Sequence, residues 1–445
     1  MTSEPASSVM ERPTVTLPPR VAPPINYGPS LRSGAAWTFL GTTVAMAAQG
    51  GIMMALAKLG TPEIVGQYAL AVAMVGPVIL LTNLNLRAVQ ATDARHENPF
   101  VSYVGLRLCG LLTAAVACVA ISLVSRVGAV SLAAVMLVYL ARAFDGVSDV
   151  IAGLLQNHER LDLMSRSRAL QSVCQFAAIT LAFWATGNLL WALAAGAASV
   201  ALTTFTYDAS CARQMLAEDG AAPLPLVPAV QRGLATWSFV DTRRLFWTAL
   251  PLGIVAGLDS LTVNVPRYIV EHFQGKEALA FFAAAAYMMF LGAAAIDAMA
   301  APARPRLAKL FLHDLPGFRW LVLRIAFLAG LCGAAAWLIC FLWGRQLLTL
   351  LYTAEYAAHA DVLSWLMVAA AIWYVAGIFS TAVTATRSFR IQMPIMVASL
   401  SVTGVVCYLL MPSHGLTGAA WSVIVGMIVR LLGNALALGM VVKNR

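Results

Sequence analysis

Twelve long, mostly apolar runs follow one another along the 445-residue chain, separated by short polar stretches. They lie near 33–59, 64–84, 100–124, 128–155, 165–186 and 188–211, and then near 244–270, 278–301, 319–344, 361–385, 391–411 and 416–441. Each is long enough for a helix to cross a hydrocarbon core, which takes about 20 residues. None shows the alternating ten-residue segments of a membrane barrel. Because a bilayer offers no water to backbone polar groups, helices are the remaining solution. The pattern predicts an all-α polytopic membrane protein with about twelve transmembrane helices.

The longest internal hydrophilic stretch, near 212–241, contains Pro223, Pro225 and Pro228 and divides the spans six and six. Two halves of this kind point to duplication, and a weak internal match agrees. Gly60 to Val75 (GTPEIVGQYALAVAMV) lines up in character with Gly275 to Phe290 (GKEALAFFAAAAYMMF), each entering the second span of its half. Six spans return the chain to its starting side, so the halves would be parallel repeats, a plan under which transporters usually bind substrate between the halves. The expected organisation is a cytoplasmic, disordered tail over 1–30, a six-helix bundle over 31–214, a connector over 215–242 and a second six-helix bundle over 243–445. The loops on the other side are short turns, and the chain carries no GxxxxGK[ST], GxGxxG or HExxH motif. An enzyme with a folded external catalytic domain, or a chain hydrolysing ATP, is therefore not expected.

Composition sharpens the class. Hydrophobic residues make up 60% and charged residues 11%, with mean hydropathy +0.79, too few polar side chains to cover a soluble globule of this length. The net charge of +9 forms no basic domain, so nucleic acid is not an expected partner. Placing the N-terminus in the cytoplasm assigns 22 of the 29 Lys and Arg residues to that side, Arg87 and Arg107 among them. Lys58, Arg126, Arg267, Lys276 and Arg345 fall on the other side, and Arg142 and Arg430 sit within spans. The seven prolines of the first 30 residues, with no apolar h-region, read as a tail and not a signal peptide. Seven cysteines without a CxxC pair, and no His at ligand spacing, read as packing residues; neither a metal site nor a cofactor is expected.

Ionisable residues within spans are costly and mark pathways or internal ion pairs. Arg142, Asp145 and Asp149 fall at i, i+3 and i+7, one face of the fourth span, and suit either an internal ion-pair cluster or a hydrated cavity wall. Asp259 has no opposite charge within one turn, with Ser260, Thr262 and Asn264 making its region polar. Arg267 lies about 12 Å further along the same helix and suits either the cavity or an anchor at the outer headgroups. Asp297, near the cytoplasmic end of the eighth span, can reach Arg304 or Arg306. Arg430 has no local acid and calls for a partner on another helix. Gln49, with Gly50 and Gly51, interrupts the first span and suits close packing or a bend. Pro251 and Pro266 offer bends in the seventh. At the cytoplasmic mouths, Arg87 and Arg95 in the first half and Arg304, Arg306 and Lys309 in the second occupy corresponding places. They either fix topology and attract anionic membrane lipid or recruit a phosphate-bearing headgroup, which a guanidinium fork matches well.

At these mouths the chain resembles a known family. Tyr68 to Ala94 (YALAVAMVGPVILLTNLNLRAVQATDA) with Phe100 to Leu108 (FVSYVGLRL), and Val265 to Phe290 (VPRYIVEHFQGKEALAFFAAAAYMMF) with Pro302 to Phe311 (PARPRLAKLF), are similar to the bacterial polysaccharide transporters, which include the O-antigen and exopolysaccharide flippases. The match is carried by Arg87 and Asp93 in the first motif and by Pro266, Arg267, Tyr268, Pro305 and Arg306 in the second. The resemblance implies two parallel six-helix bundles around a central cavity, in the bacterial inner membrane, moving a polyprenyl-diphosphate-linked oligosaccharide across the bilayer by alternating access. It leaves a polysaccharide polymerase open as a further partner. It assigns no role to Asp259 or Arg142. The competing reading is a drug or cation antiporter of the same multidrug/oligosaccharidyl-lipid/polysaccharide exporter superfamily, in which Asp259 would serve as the mid-membrane acid.

Overall fold

The computed structural model describes residues 31–91, 99–218, 239–300, 303–386 and 389–443. Among them there is no strand, and ten helices are long and apolar enough to cross a membrane. The first half comprises α1 (Leu31–Leu59), α2 (Pro62–Thr82), the short α3 (Leu86–Ala91), α4 (Phe100–Val124), α5 (Ala129–Asn157), α6 (Leu161–Thr186), α7 (Leu189–Thr203), a π-helical turn (Thr204–Asp208) and α8 (Ala209–Glu218). The second comprises α9 (Phe239–Ala300), α10 (Ala303–His313), α11 (Leu315–Leu351), α12 (Ala354–Ala357), α13 (Ala360–Ala385) and α14 (Phe389–Lys443).

Helices α9 and α14, of 62 and 55 residues, each contain one residue outside helical geometry, Gly275 (φ +80°) and Gly415 (φ +54°). The chain turns back there, so each forms two crossings and the bundle has the twelve expected of the hydrophobic pattern. A loop was expected at both places; the structure uses a single residue in a conformation that only glycine adopts without penalty. Other ends are set by ordinary punctuation. Pro62 occupies the first turn of α2, where its missing N–H costs nothing. Gly187 (φ +62°) ends α6, and the Asn188 side chain accepts from Leu190 N at 2.8 Å to start α7. The α2–α3 turn is different. It holds Leu84 and Asn85 at φ +53° and +49°, which for a leucine costs about 1–2 kcal/mol.

We call the side where α1 begins the proximal face and the side reached by Leu59 the distal face. The outward surface is apolar, with Leu112, Val116, Trp184 and Phe327 among its most exposed side chains, as suits a bundle solvated by lipid. In the first half, α1 packs on α6 and α7 on both α5 and α6; in the second, α13 packs between α11 and α14. Helix α2 belongs in sequence to the first half, yet its main partner is α9. The two run antiparallel along the seam between the halves. Gly253 and Gly257 meet Leu81 near the proximal face, Tyr268 donates to the carbonyl of Ala73 at mid-depth, and Gly66 lies against the carbonyl of Lys276 at the distal end. A Cβ at Gly66 would overlap that carbonyl. Small residues are what let two backbones approach so closely. The two segments that resemble each other in sequence thus meet in space. The distal seam is completed by Lys58 Nζ, which donates to Leu350 O at 2.7 Å.

A buried carboxylate ties the first half together. Asp208, in the π-helical turn, accepts from Ser148 of α5 at 2.6 Å and from Ser167 of α6 at 2.5 Å. Asp208→Ala leaves both hydroxyls buried without their acceptor and is expected to destabilise the protein by about 2 kcal/mol. A lower unfolding temperature of the detergent-purified protein, with little change in Asp208→Asn, is the expected result.

Candidate substrate cavity

Between the halves lies a cavity of about 340 Å³, lined among others by Gln49, Tyr68, Arg142, Asp259, Asn264, Arg267 and Tyr287. A second, of about 280 Å³, adjoins it and is lined mostly by the first half. It shares Gln49, Arg142, Tyr287 and Phe290 and adds Asp145, Arg168 and Gln171. The polar residues of α1, α5 and α9 converge here although they lie far apart in sequence. Gln49 Nε2 donates to the Tyr68 hydroxyl at 2.8 Å, and its Oε1 lies 3.5 Å from Arg142 Nη2. Arg142 and Asp145 form an ion pair at 3.6 Å, both partly open to the cavity.

On the opposite wall, Arg430 of α14 meets Asp259 of α9 at 2.6 Å, with 10% of the arginine side chain and 43% of the aspartate exposed. The cross-helix partner expected for Arg430 is therefore Asp259. Arg267 receives less. Its Nη1 donates to Asn264 Oδ1 at 3.2 Å, and its Nε has no partner among the described residues. Among the described residues, two carboxylates, Asp145 and Asp259, and three guanidinium groups, those of Arg142, Arg168 and Arg267, line these cavities, and Arg430 reaches Asp259 from behind the wall. The surplus is cationic, and a buried N–H without an acceptor is costly. An anion entering the cavity would relieve both.

Several residues stand elsewhere than the sequence suggested. Arg267 lines the cavity two turns short of Gly275, the first of its two expected placements, and not the far aqueous side to which the charge count assigned it. Helix α1 runs unbroken through Gly50 and Gly51, which make room for the rings of Tyr287 and Phe176, so close packing and not a bend accounts for them. Helix α9 continues through Pro251 and Pro266 without a break. Asp149 does not join Arg142 and Asp145 at the cavity. It turns toward the proximal face, where Arg107 reaches it at 2.7 Å and Arg87 at 3.5 Å. Arg107, assigned to the aqueous side, is 1% exposed. It lies seven residues into α4, about 10 Å deep, and that depth was the available signal. Arg306 and Lys309 are exposed on α10. Arg95 lies outside the described residues, as do the side chains of Asp297 and Arg304. Tyr68 and Tyr287 were not singled out by sequence, since neither breaks the apolar pattern, and Tyr268 entered only through the family motif; Asp208 was also missed, although a carboxylate within the sixth span was the available signal.

Taken together, these features define a multi-pass, all-helical membrane protein with two six-helix halves around a polar, cationic cavity. The arrangement is shared by solved structures. The chain superposes with a TM-score of 0.71 on the lipid II flippase MurJ in an inward closed conformation, at 8% identity over 92% of this chain and 87% of that one. With a multidrug resistance MATE family transporter in its inward-facing conformation the TM-score is 0.65, at 14% identity over 92% and 96%. At these identities the likeness establishes the fold. The sequence establishes the family: the model of the polysaccharide biosynthesis protein family matches residues 31–311, and the chain belongs to that family. A curated relative, the capsular polysaccharide biosynthesis protein CapF of Staphylococcus aureus, is 24% identical over 385 residues, 86% of this chain and 92% of that protein.

Proposed function

We propose that the protein flips a polyprenyl-diphosphate-linked oligosaccharide across the bacterial inner membrane, with both termini in the cytoplasm, by alternating access of its two halves. The observation that carries the reading is the cationic surplus of the central cavity in a chain of the polysaccharide biosynthesis family. Arg267, with an unpaired N–H, and Arg142 would receive the diphosphate, Gln49 and Asn264 would meet sugar hydroxyls, and the prenyl tail would remain in lipid. Arg87, Arg306 and Lys309, with Arg95 and Arg304, would attract the headgroup at the proximal face. No bond is made or broken in such a cycle; the flipped units would be delivered to a polymerase.

The antiporter reading needs a mid-membrane acid available to a cation. Asp259 is already engaged by Arg430 at 2.6 Å, which favours the flippase. Deleting the gene is expected to leave lipid-linked glycan units confined to the cytoplasmic leaflet. Complementation by the wild-type chain should restore export, and Arg267→Ala should restore at most a tenth of it. Normal export in the deletion strain would overturn this reading, and drug resistance conferred by expression and lost in Asp259→Asn would replace it with the antiporter.

A further inference from the structure

Outside the central cavity, the proximal face carries a cluster with more cation than acid and more donors than acceptors. Asp149 sits between two arginines, one carboxylate oxygen 2.7 Å from Arg107 Nη2 and the other 3.5 Å from Arg87 Nη1. Arg107 is buried, and its Nε and Nη1 find no acceptor among the described residues; neither does Asn83 Oδ1 find a donor. Arg87 is one-third exposed, so the cluster is open on one side. Two guanidinium groups sharing one carboxylate, with N–H groups to spare, form a site for an anion of higher charge and more oxygens than Asp149 provides.

The cluster is also built into a strained turn. Asn83 and Arg87 flank Leu84 and Asn85, whose positive φ values are the only consecutive pair of that kind among the described residues. Leu84 does not face solvent. It packs with Leu245 and Ala249 of α9, and its Cα lies where a Cβ on Gly253 would come within 3.0 Å. The turn therefore links the charged cluster directly to the proximal end of the seam between the halves. Strain at such a position is kept only where surrounding contacts hold it, and here those contacts are Arg87 on one side and α9 on the other.

We propose that the Arg87–Asp149–Arg107 cluster is a diphosphate-class anion site whose tethered occupant in this conformation is Asp149, and that an arriving anion takes Arg87 from Asp149 and releases the α2–α3 turn from α9. Asp149 stays with Arg107, so no charge is left buried alone. Anion arrival thereby unlocks the proximal seam. The choice of a diphosphate rests on the function proposed above; the latch does not.

The test uses the full-length protein in nanodiscs of neutral lipid, labelled at Ala88→Cys and Thr248→Cys, with inorganic pyrophosphate as the probe. Pyrophosphate is expected to lengthen the label distance. Its affinity should fall at least tenfold in Arg87→Gln and by less in Arg87→Lys. Asp149→Asn should lengthen the distance without pyrophosphate and bind it several-fold more tightly. Equal affinity in wild type and Arg87→Gln, or binding that leaves the distance unchanged, overturns the proposal. The Arg87 variants decide the matter alone if Asp149→Asn does not fold. An equal shift from nanodiscs containing phosphatidylglycerol, without pyrophosphate, overturns the diphosphate assignment in favour of an ordinary lipid phosphate. Neither readout requires transport. A working latch in a protein whose deletion leaves glycan export normal would therefore count against the proposed function alone.

Discussion

Gly66→Leu is expected to abolish transport while leaving the protein folded. At the distal seam the Gly66 backbone lies against the carbonyl of Lys276, and any Cβ there would overlap it. The obstructing atom is backbone, so no rotamer change removes the clash. Overpacking of this kind costs about 1–3 kcal/mol, and each 1.4 kcal/mol is about tenfold in a population. Separating the halves at this end is cheaper than deforming two helices. The distal contact between Lys58 and Leu350, 2.7 Å in the closed seam, then reports the change. Cross-linking of Lys58→Cys with Leu350→Cys by a short bis-maleimide, which replaces the reach of the lysine side chain, should form readily in the parent chain and fall at least tenfold when Gly66→Leu is added. Undiminished cross-linking together with normal transport would show that this seam does not close as described.

The second large effect is at the Asp259–Arg430 pair. Removing one partner of a buried pair is damaging because it strands the other, at about 3–5 kcal/mol. Arg430 is the stranded group in Asp259→Ala, and it is 10% exposed within the membrane span. Asp259 is 43% exposed to the cavity, and water reaching the pair reduces the cost to about 2 kcal/mol. Asp259→Ala should therefore lower the unfolding temperature of the purified protein and cut transport at least tenfold. Asp259→Ala combined with Arg430→Met, which removes both charges, should recover most of the stability, because no charge is then left buried without its partner. Recovery of stability without recovery of transport would assign the pair to the transport cycle. A double variant no more stable than Asp259→Ala would mean that Arg430 is not held by Asp259.

The candidate site was legible residue by residue, not as a constellation. Arg142, Asp259, Arg267, Gln49 and Arg430 each broke an apolar run, and that break identified them. The sequence could not say that Arg430 answers Asp259, because the two are 171 positions apart and belong to different helices. Nor could it separate Asp149 from Arg142 and Asp145. Their spacing puts all three on one face of α5, but neighbouring helices divide that face, with the cavity at Arg142 and α3 and α4 at Asp149. Arg107 was misplaced because a charge near a span end reads as an aqueous anchor. Its burial depends on α5 bringing Asp149 to the same depth.

By itself, the sequence determined that this chain is a twelve-crossing helical membrane protein, since apolar run length and backbone hydrogen bonding in lipid leave no other solution. It also carried the family, through the motifs at the two mouths. Only the tertiary structure decided which polar residues share a cavity, which acids are already neutralised, and that α2 lies along α9 with its strained proximal turn against the other half. Those outcomes depend on helix rotation and on close contacts at single glycines. Both are settled when helices pack, since the apolar lipid face and the apolar packing face read alike along the chain.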